Sequence, residues 1–165
     1  HIINFYQHEK KSVEITKIAM TRLKFSNAEI DHVCHLIDQH MFYYEPTWSD
    51  GAVRRFLVRV GSATVEDLID LRLADMYGKY NDPVRMHDTE SCQLLIELQE
   101  RIKKIEDSKQ ALSLKDLAVN GKDLIATGIP AGKKIGVILN ELFETVLEDP
   151  EMNKKDKLLE IARNL

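Results

Sequence analysis

The sequence predicts an all-α fold, a helical bundle followed by a small helical tail. Three observations predict it. Helix-start signals built on Ser, Thr or Asn recur along the chain. The apolar residues between them return at spacings of three and four. Glycine and proline are few, 7 and 4 in 165 residues, which leaves little turn chemistry for many short strands. No alternating strand pair, parallel-sheet pattern or internal repeat is present.

Val13, Ile15, Ile18, Ala19 and Leu23 imply a first amphipathic helix. Ser26-Asn-Ala-Glu29 is a capping box, with Ser26 as cap and Glu29 returning to it. The helix it starts sets Ile30, Val33, Cys34 and Ile37 on one face. Ser49 caps "DGAVRRFLVRV", which Gly61 stops. Thr64 to Asp67 caps "LIDLRLADMY", stopped near Gly78. "GKYNDPVRMHD" reads as a loop, because Asn81, Asp82 and Pro83 favour turns. Leu95, Leu98, Ile102 and Ile105 form a narrow helical seam that serves either bundle packing or a dimeric coiled coil.

"DSKQALSLKDLAVNGKD" marks the expected boundary between a body, 1–107, and a tail, 108–165. Ser113-Leu-Lys-Asp116 is a further capping box, and Pro130 fits the first turn of a helix. Ile135, Ile138, Leu139, Leu142, Phe143, Val146 and Leu147 make the strongest stripe. Asn153 caps a last helix holding Leu158, Leu159 and Ile161.

Composition narrows the function. The chain is long enough for one sizeable core or two small ones. A net charge of −4 exerts no global pull on nucleic acid, so any such binding rests on local basic patches. No apolar run spans a bilayer and the start does not read as a signal peptide. Cys34 and Cys92 have no CxxC spacing and read as buried thiols of a reducing compartment. A cytoplasmic location is therefore expected. There is no Walker loop, dinucleotide fingerprint, nucleophile–base pair or Asp-x-Asp pair, so no catalytic residue is assigned in this chain.

Three groups of residues remain as candidate sites. In "GIPAGKKIG", residues 128–136, Gly128 turns the chain and Pro130 pre-sets a helix. The free N–H groups at a helix start favour an anion. Gly132 permits close approach, and Lys133 and Lys134 add charge, with Lys122 joining them from the preceding turn. The stretch reads as a grip on a nucleic-acid backbone or as an ordinary helix start. Arg54, Arg55 and Arg59 form a second basic group, with Arg55 and Arg59 on one face. It suits phosphate, and equally a solvated face pairing with Asp50 or Glu66. His8, His40 and Asp75 are groups that could meet at a divalent metal, without local ligand spacing, or be structural. His32 and His35 read as surface residues.

The stretch "LSLKDLAVNGKDLIATGIPAGKKIGVILNELFETVLEDPEMNKKDKLLEIA" resembles the C-terminal region of bacterial tRNA nucleotidyltransferases, the CCA-adding enzymes of the poly(A) polymerase family. "NGKDL", "GIPAGKKIG" and "VLEDPEMNKKDKLL" carry the resemblance. "FYQHEKKSVEITKIAMTRLKFSNAEIDHVCHLIDQHMFYYEPTWSDGAVRRFLVRVG" and "LIDLRLADMYG" are similar to the helical HD-type region that precedes that tail, so the resemblance covers essentially the whole chain. It implies a C-terminal half that holds tRNA, mainly by its backbone, through a helix-turn-helix-like turn in the tail. It also implies a separate head that adds CCA from CTP and ATP with Mg²⁺, and a start at His1 within a longer protein. The chain alone is expected to be inactive. His8, His40 and Asp75 resemble remaining ligand positions of the HD superfamily, whose His-Asp dyad has no counterpart. Gln39-His40 stands where paired histidines are frequent, and Gln7-His8-Glu9 where Gly-His-Glu is. A poly(A) polymerase fragment, an HD-type metal-dependent phosphohydrolase and a helical dimerisation module are the alternatives.

Overall fold

The computed structural model describes residues 8–80 and 82–165, with side chains from Glu9 onward. Among them are nine α-helices and no strand: α1 His8–Arg22, α2 Asn27–Gln39, α3 Asp50–Val60, α4 Val65–Tyr80, α5 Pro83–His87, α6 Glu90–Asp107, α7 Gly121–Ala126, α8 Lys133–Glu148 and α9 Lys155–Arg163. Short 3-10 turns occupy Leu114–Asp116 and Pro150–Met152. The all-α class holds.

The chain forms two compact units, and neither is a continuous stretch. Among the described residues one takes in 8–45 and 60–96, the other Pro46–Arg59 and Glu97–Leu165. Most of α3 and the second part of α6 thus belong with the tail segment and not with the helices that precede them in sequence.

In the first unit α1 packs on α2. Ser26 and Glu29 make the expected capping box, the Ser26 N–H donating to Glu29 Oε2 at 2.8 Å. The buried side of α1 differs from the expectation. Ile15, Ile18 and Leu23 are all more than half exposed, while Val13, Thr16 and Met20 are partly covered. Residues 13, 16 and 20 share a helical face that Ile15 and Ile18 oppose. Helix α4 runs through Gly78 to Tyr80. The expected loop after it contains α5, because Asp82 caps Pro83–His87 by accepting from the N–H groups of Val84 and Arg85. Asn81 lies outside the described residues. Met76, Cys92 and Leu95 form a buried cluster with Phe42, Leu73, Met86 and Ile96 against it.

The second unit is built on α8. Ile138, Leu142, Phe143, Val146 and Leu147 are buried, in a core shared with Leu117, Val119, Leu124, Leu158 and Ala162. Helices α7 and α9 and both 3-10 turns pack on this helix. Leu98, Ile102 and Ile105 are buried as well, as is Leu95 in the first unit. The whole seam of α6 is thus covered within the chain, and its pairing with a second copy is not open.

Long-range hydrogen bonds fix this unit. Ser49 caps α3 as expected, accepting from Ala52 N–H at 3.1 Å. Arg54 is only 5% exposed. Its Nε donates to Leu147 O at 2.6 Å, its Nη2 to Glu148 O at 3.0 Å and its Nη1 to Gln110 Oε1 at 2.8 Å. The last carbonyls of a helix lack partners within it and carry partial negative charge, so a guanidinium there satisfies both needs. Gly51 lets α3 approach this helix end: a Cβ built on it would collide with the Glu148 carboxylate and lie 3.2 Å from Glu148 Cα. Asn153 does not cap α9, whose N-cap is Lys154. Asn153 accepts from Ala118 N–H at 2.7 Å and donates to Asp116 O at 2.9 Å, holding two distant segments together. Ser113 and Asp116 close a 3-10 turn in place of a helix start. The Ser113 hydroxyl donates to Asp116 Oδ2, which also accepts from Leu112 N–H.

Two outcomes follow. Arg54→Ala leaves two helix-end carbonyls and the Gln110 amide without their donor, and each such loss costs about 1–3 kcal/mol. We expect a loss of about 3 kcal/mol in urea unfolding; a wild-type midpoint would refute the capping role. The second outcome concerns pH. The Arg101 guanidinium beside Asp50 holds its carboxyl below the usual range, against partial burial. The Ser113 hydroxyl does the same for Asp116, and the Lys155 ammonium for Asp123. Lowered folded values mean that the unfolded chain takes up protons first. The stabilisation is complete above the unfolded carboxylate value of about 4, and is lost as pH falls through the folded values. Urea midpoints should be level from neutrality to about pH 5 and fall below about pH 4. In Asp50→Asn that fall should be shallower.

Candidate nucleic-acid interface

The turn between α7 and α8 is set by local chemistry. Asn120 caps α7, accepting from the N–H groups of Lys122 and Asp123, while Asp123 accepts from Asn120 N–H at 2.9 Å. Asn-Gly-Lys-Asp, read above only as a turn, is the local signal for this capping box. Gly128 has φ +98°, the turn conformation expected of it. Pro130 lies before α8 and not in its first turn, because the helix begins at Lys133 with Gly132 as N-cap. Gly132 has φ +147° and ψ −164°, a region that is essentially glycine-only. Apart from its own chain neighbours, no atom of the described residues comes within 4 Å of where its Cβ would be. Within this chain its role is therefore conformational.

A Cβ on Gly121 would lie 3.2 Å from Ile135 Cγ2. That approach sets the first turn of α7, which carries Lys122, beside the first turn of α8, which carries Lys133 and Lys134. All three lysines are exposed, and among the described residues none forms an ion pair with them. Lys155, missed in the sequence, reaches the same region from the first turn of α9. Its Nζ donates to Asp123 Oδ1 at 2.6 Å. The first turn of α8 holds no acidic residue, and its N-cap offers no side-chain acceptor. Two lysines at the positive end of a helix dipole are unfavourable for that helix, by a few tenths of a kcal/mol or about 1 kcal/mol each. An anion seated there would relieve the repulsion and pair with the free N–H groups.

The arginines of α3 separate into three environments. Arg54 is turned inward, so it does not share an open face with the other two. Arg55 is bound on the surface to Glu144 at 2.8 Å and Glu148 at 3.0 Å, and the bond to Glu144 above all raises its already high pKa. These are the pairs made in place of Asp50 or Glu66. Arg59 is exposed and lies over the Phe56 ring, 5.5 Å from its centroid. It alone of the three offers a guanidinium to solvent without a carboxylate among the described residues. Phe42 and Trp48 are half-buried, Trp48 meeting Phe56 edge to face at 6.0 Å.

His40 Nδ1 bonds Ile37 O at 2.6 Å, and Asp75 lies 3.6 Å from Arg72. The side chain of His8 lies outside the described residues. Among those residues no group of three His, Cys, Asp or Glu could hold a metal ion. His32 is exposed, as expected, and meets Asp67 at 2.9 Å on the surface, whereas His35 is half-buried with its ring nitrogen 2.8 Å from Val60 O. Cys34 and Cys92 are free thiols, the second buried. No helix among the described residues is long and apolar enough to cross a membrane.

Comparison with known proteins adds one finding. Residues 5–162 match the family model described as tRNA nucleotidyltransferase domain 2. Neither the curated proteins nor the solved structures gave a match. A match over nearly the whole chain, on an all-helical fold with a cationic turn, assigns the family. The chain belongs to the tRNA nucleotidyltransferase domain 2 family.

Proposed function

We propose that this chain holds tRNA so that a nucleotidyltransferase head can add CCA to its 3′ end from CTP and ATP. The family match over residues 5–162 carries this reading. The exposed Lys122, Lys133 and Lys134 at the start of α7 and α8, without an ion-pair partner among the described residues, support it, with Arg59 as a further contact. Such contacts go to phosphates and read shape, which is what orientation of a folded RNA requires. A polymerase without a template must place one strand end at its active site, and tight positioning of the remote part of the substrate lowers the barrier to reaction. The sequence has no Asp-x-Asp pair to hold two metal ions, so the chain alone adds no nucleotide, and Mg²⁺ with CTP or ATP belongs to the head. This reading places the protein in the cytoplasm with its substrate.

The test is a filter-binding series over salt with several tRNAs. Each phosphate contact releases a condensed counterion, so affinity should fall steeply as salt rises. Lys133→Glu with Lys134→Glu should weaken binding to all tRNAs about equally and reduce the salt slope by about 1.5. The same variant should fold at least as stably as wild type, because acidic residues suit the first turn of a helix. Wild-type affinity in the variant would return the turn to an ordinary helix start. Incorporation of CTP or ATP by the isolated chain would overturn the separate-head reading.

A further inference from the structure

The second unit contains a cavity of about 350 Å³ that the turn described above does not use. Asp50, Arg54, Arg101, Lys104, Ser108 and Gln110 line it. Its volume lies within the roughly 300–1,000 Å³ of small-ligand sites. Its walls carry three cations and one carboxylate. Arg101 claims the carboxylate, Nη2 donating to Asp50 Oδ1 at 2.6 Å and to Trp48 O at 2.8 Å. Lys104 is exposed and pairs with no carboxylate among the described residues.

Arg54 is the unusual member. A guanidinium that is 5% exposed normally meets a carboxylate. Arg54 has no carboxylate within ion-pair distance among the described residues, and its partners are two backbone carbonyls and an amide oxygen. The α8 terminus supplies only about half a negative charge. Glu148 and Asp149 act on Arg54 at longer range, as does Asp50. But Glu148 is bound by Arg55, and Asp149 accepts from Glu151 N–H. Among the described residues Nη1 and Nη2 each donate once, which leaves each an N–H for a second acceptor.

We infer that this cavity binds a phosphate oxyanion, held between Arg54, Arg101 and Lys104. An oxyanion offers what the wall lacks, negative charge with several acceptor oxygens, and guanidinium groups match its geometry. The chemistry is shared by a phosphate of an RNA backbone and by a free phosphate or phosphorylated small molecule.

Calorimetric titration of the full chain with inorganic phosphate, at constant ionic strength in chloride, tests this. Saturable one-to-one binding is expected. Lys104→Gln should weaken it about threefold to fivefold, the size of one exposed charge pair. Lys104→Arg should retain it. Asp50→Asn should tighten it, because the repelling charge goes while an oxygen remains for Arg101. Lys115→Gln, a charge outside the cavity, should change nothing. Absence of saturable heat, or equal affinity in Lys104→Gln, Asp50→Asn and wild type, would overturn the assignment. Repeating the titration with saturating tRNA separates the sources. Loss of the phosphate heat assigns the cavity to an RNA phosphate, and its persistence to a free one. Failure of the chain to bind tRNA would leave the phosphate titration intact, so the two readings fail independently.

Discussion

The second unit depends on one buried guanidinium at the end of one helix. Arg54 reaches from α3 to the last carbonyls of α8 and to Gln110. Helix α8 is the element against which α7, α9 and both 3-10 turns pack, so fixing its carboxyl end fixes the frame for the rest. The neighbouring residues reinforce the same junction. Gly51 omits a side chain where Glu148 comes close, and Arg55 ties Glu144 and Glu148 across the surface. Charge, hydrogen bonding and close packing converge on a few residues that are far apart in sequence.

That distance explains what the sequence displays and what it hides. Caps and apolar stripes are local, and local signals were legible. The Ser26 box, the Ser49 cap, the Gly128 turn and the stripe from Ile138 to Leu147 are all present. Helix α5 was hidden because Asp82 and Pro83 favour a turn and a helix start equally. The covered side of α1 was misjudged because hydrophobicity outranked spacing: Thr16 and Met20 align with Val13, and Ile15 and Ile18 do not. Arg54 was grouped with Arg55 and Arg59 because all three are arginines on one helix. What separates them is a helix end more than ninety residues away, which no local pattern encodes. Asn153 shows the same limit. Its side chain has the chemistry of a cap, but the 3-10 turn it follows aims it at Ala118 and Asp116.

The candidate site was legible in a different sense. Exposure of Lys122, Lys133 and Lys134 follows from their place at helix starts, outside the apolar stripe. The placement of the two helix starts that carry them does not follow from the sequence. It comes from the contact of Gly121 with Ile135 and from the capping box at Asn120. The family match then supplies the class of partner that lysines alone leave open, since exposed cations suit many anions.

The two ends of α8 now read as opposites. A helix is stabilised by cations at its carboxyl end and by acids at its amino end. The carboxyl end obeys the rule: Arg54 sits on the terminal carbonyls, out of water and bonded through three nitrogens. The amino end breaks it, with two lysines, no acidic residue and a glycine cap that offers no side-chain acceptor. Folding alone gives no reason to keep that arrangement, because Asp or Ser in place of either lysine would suit the helix better. A charge placed against the preference of its own helix, exposed and without a partner among the described residues, is one that the phosphate contact of the proposed function would satisfy. Under that proposal the same helix uses one end to hold the unit together and the other to meet a phosphate.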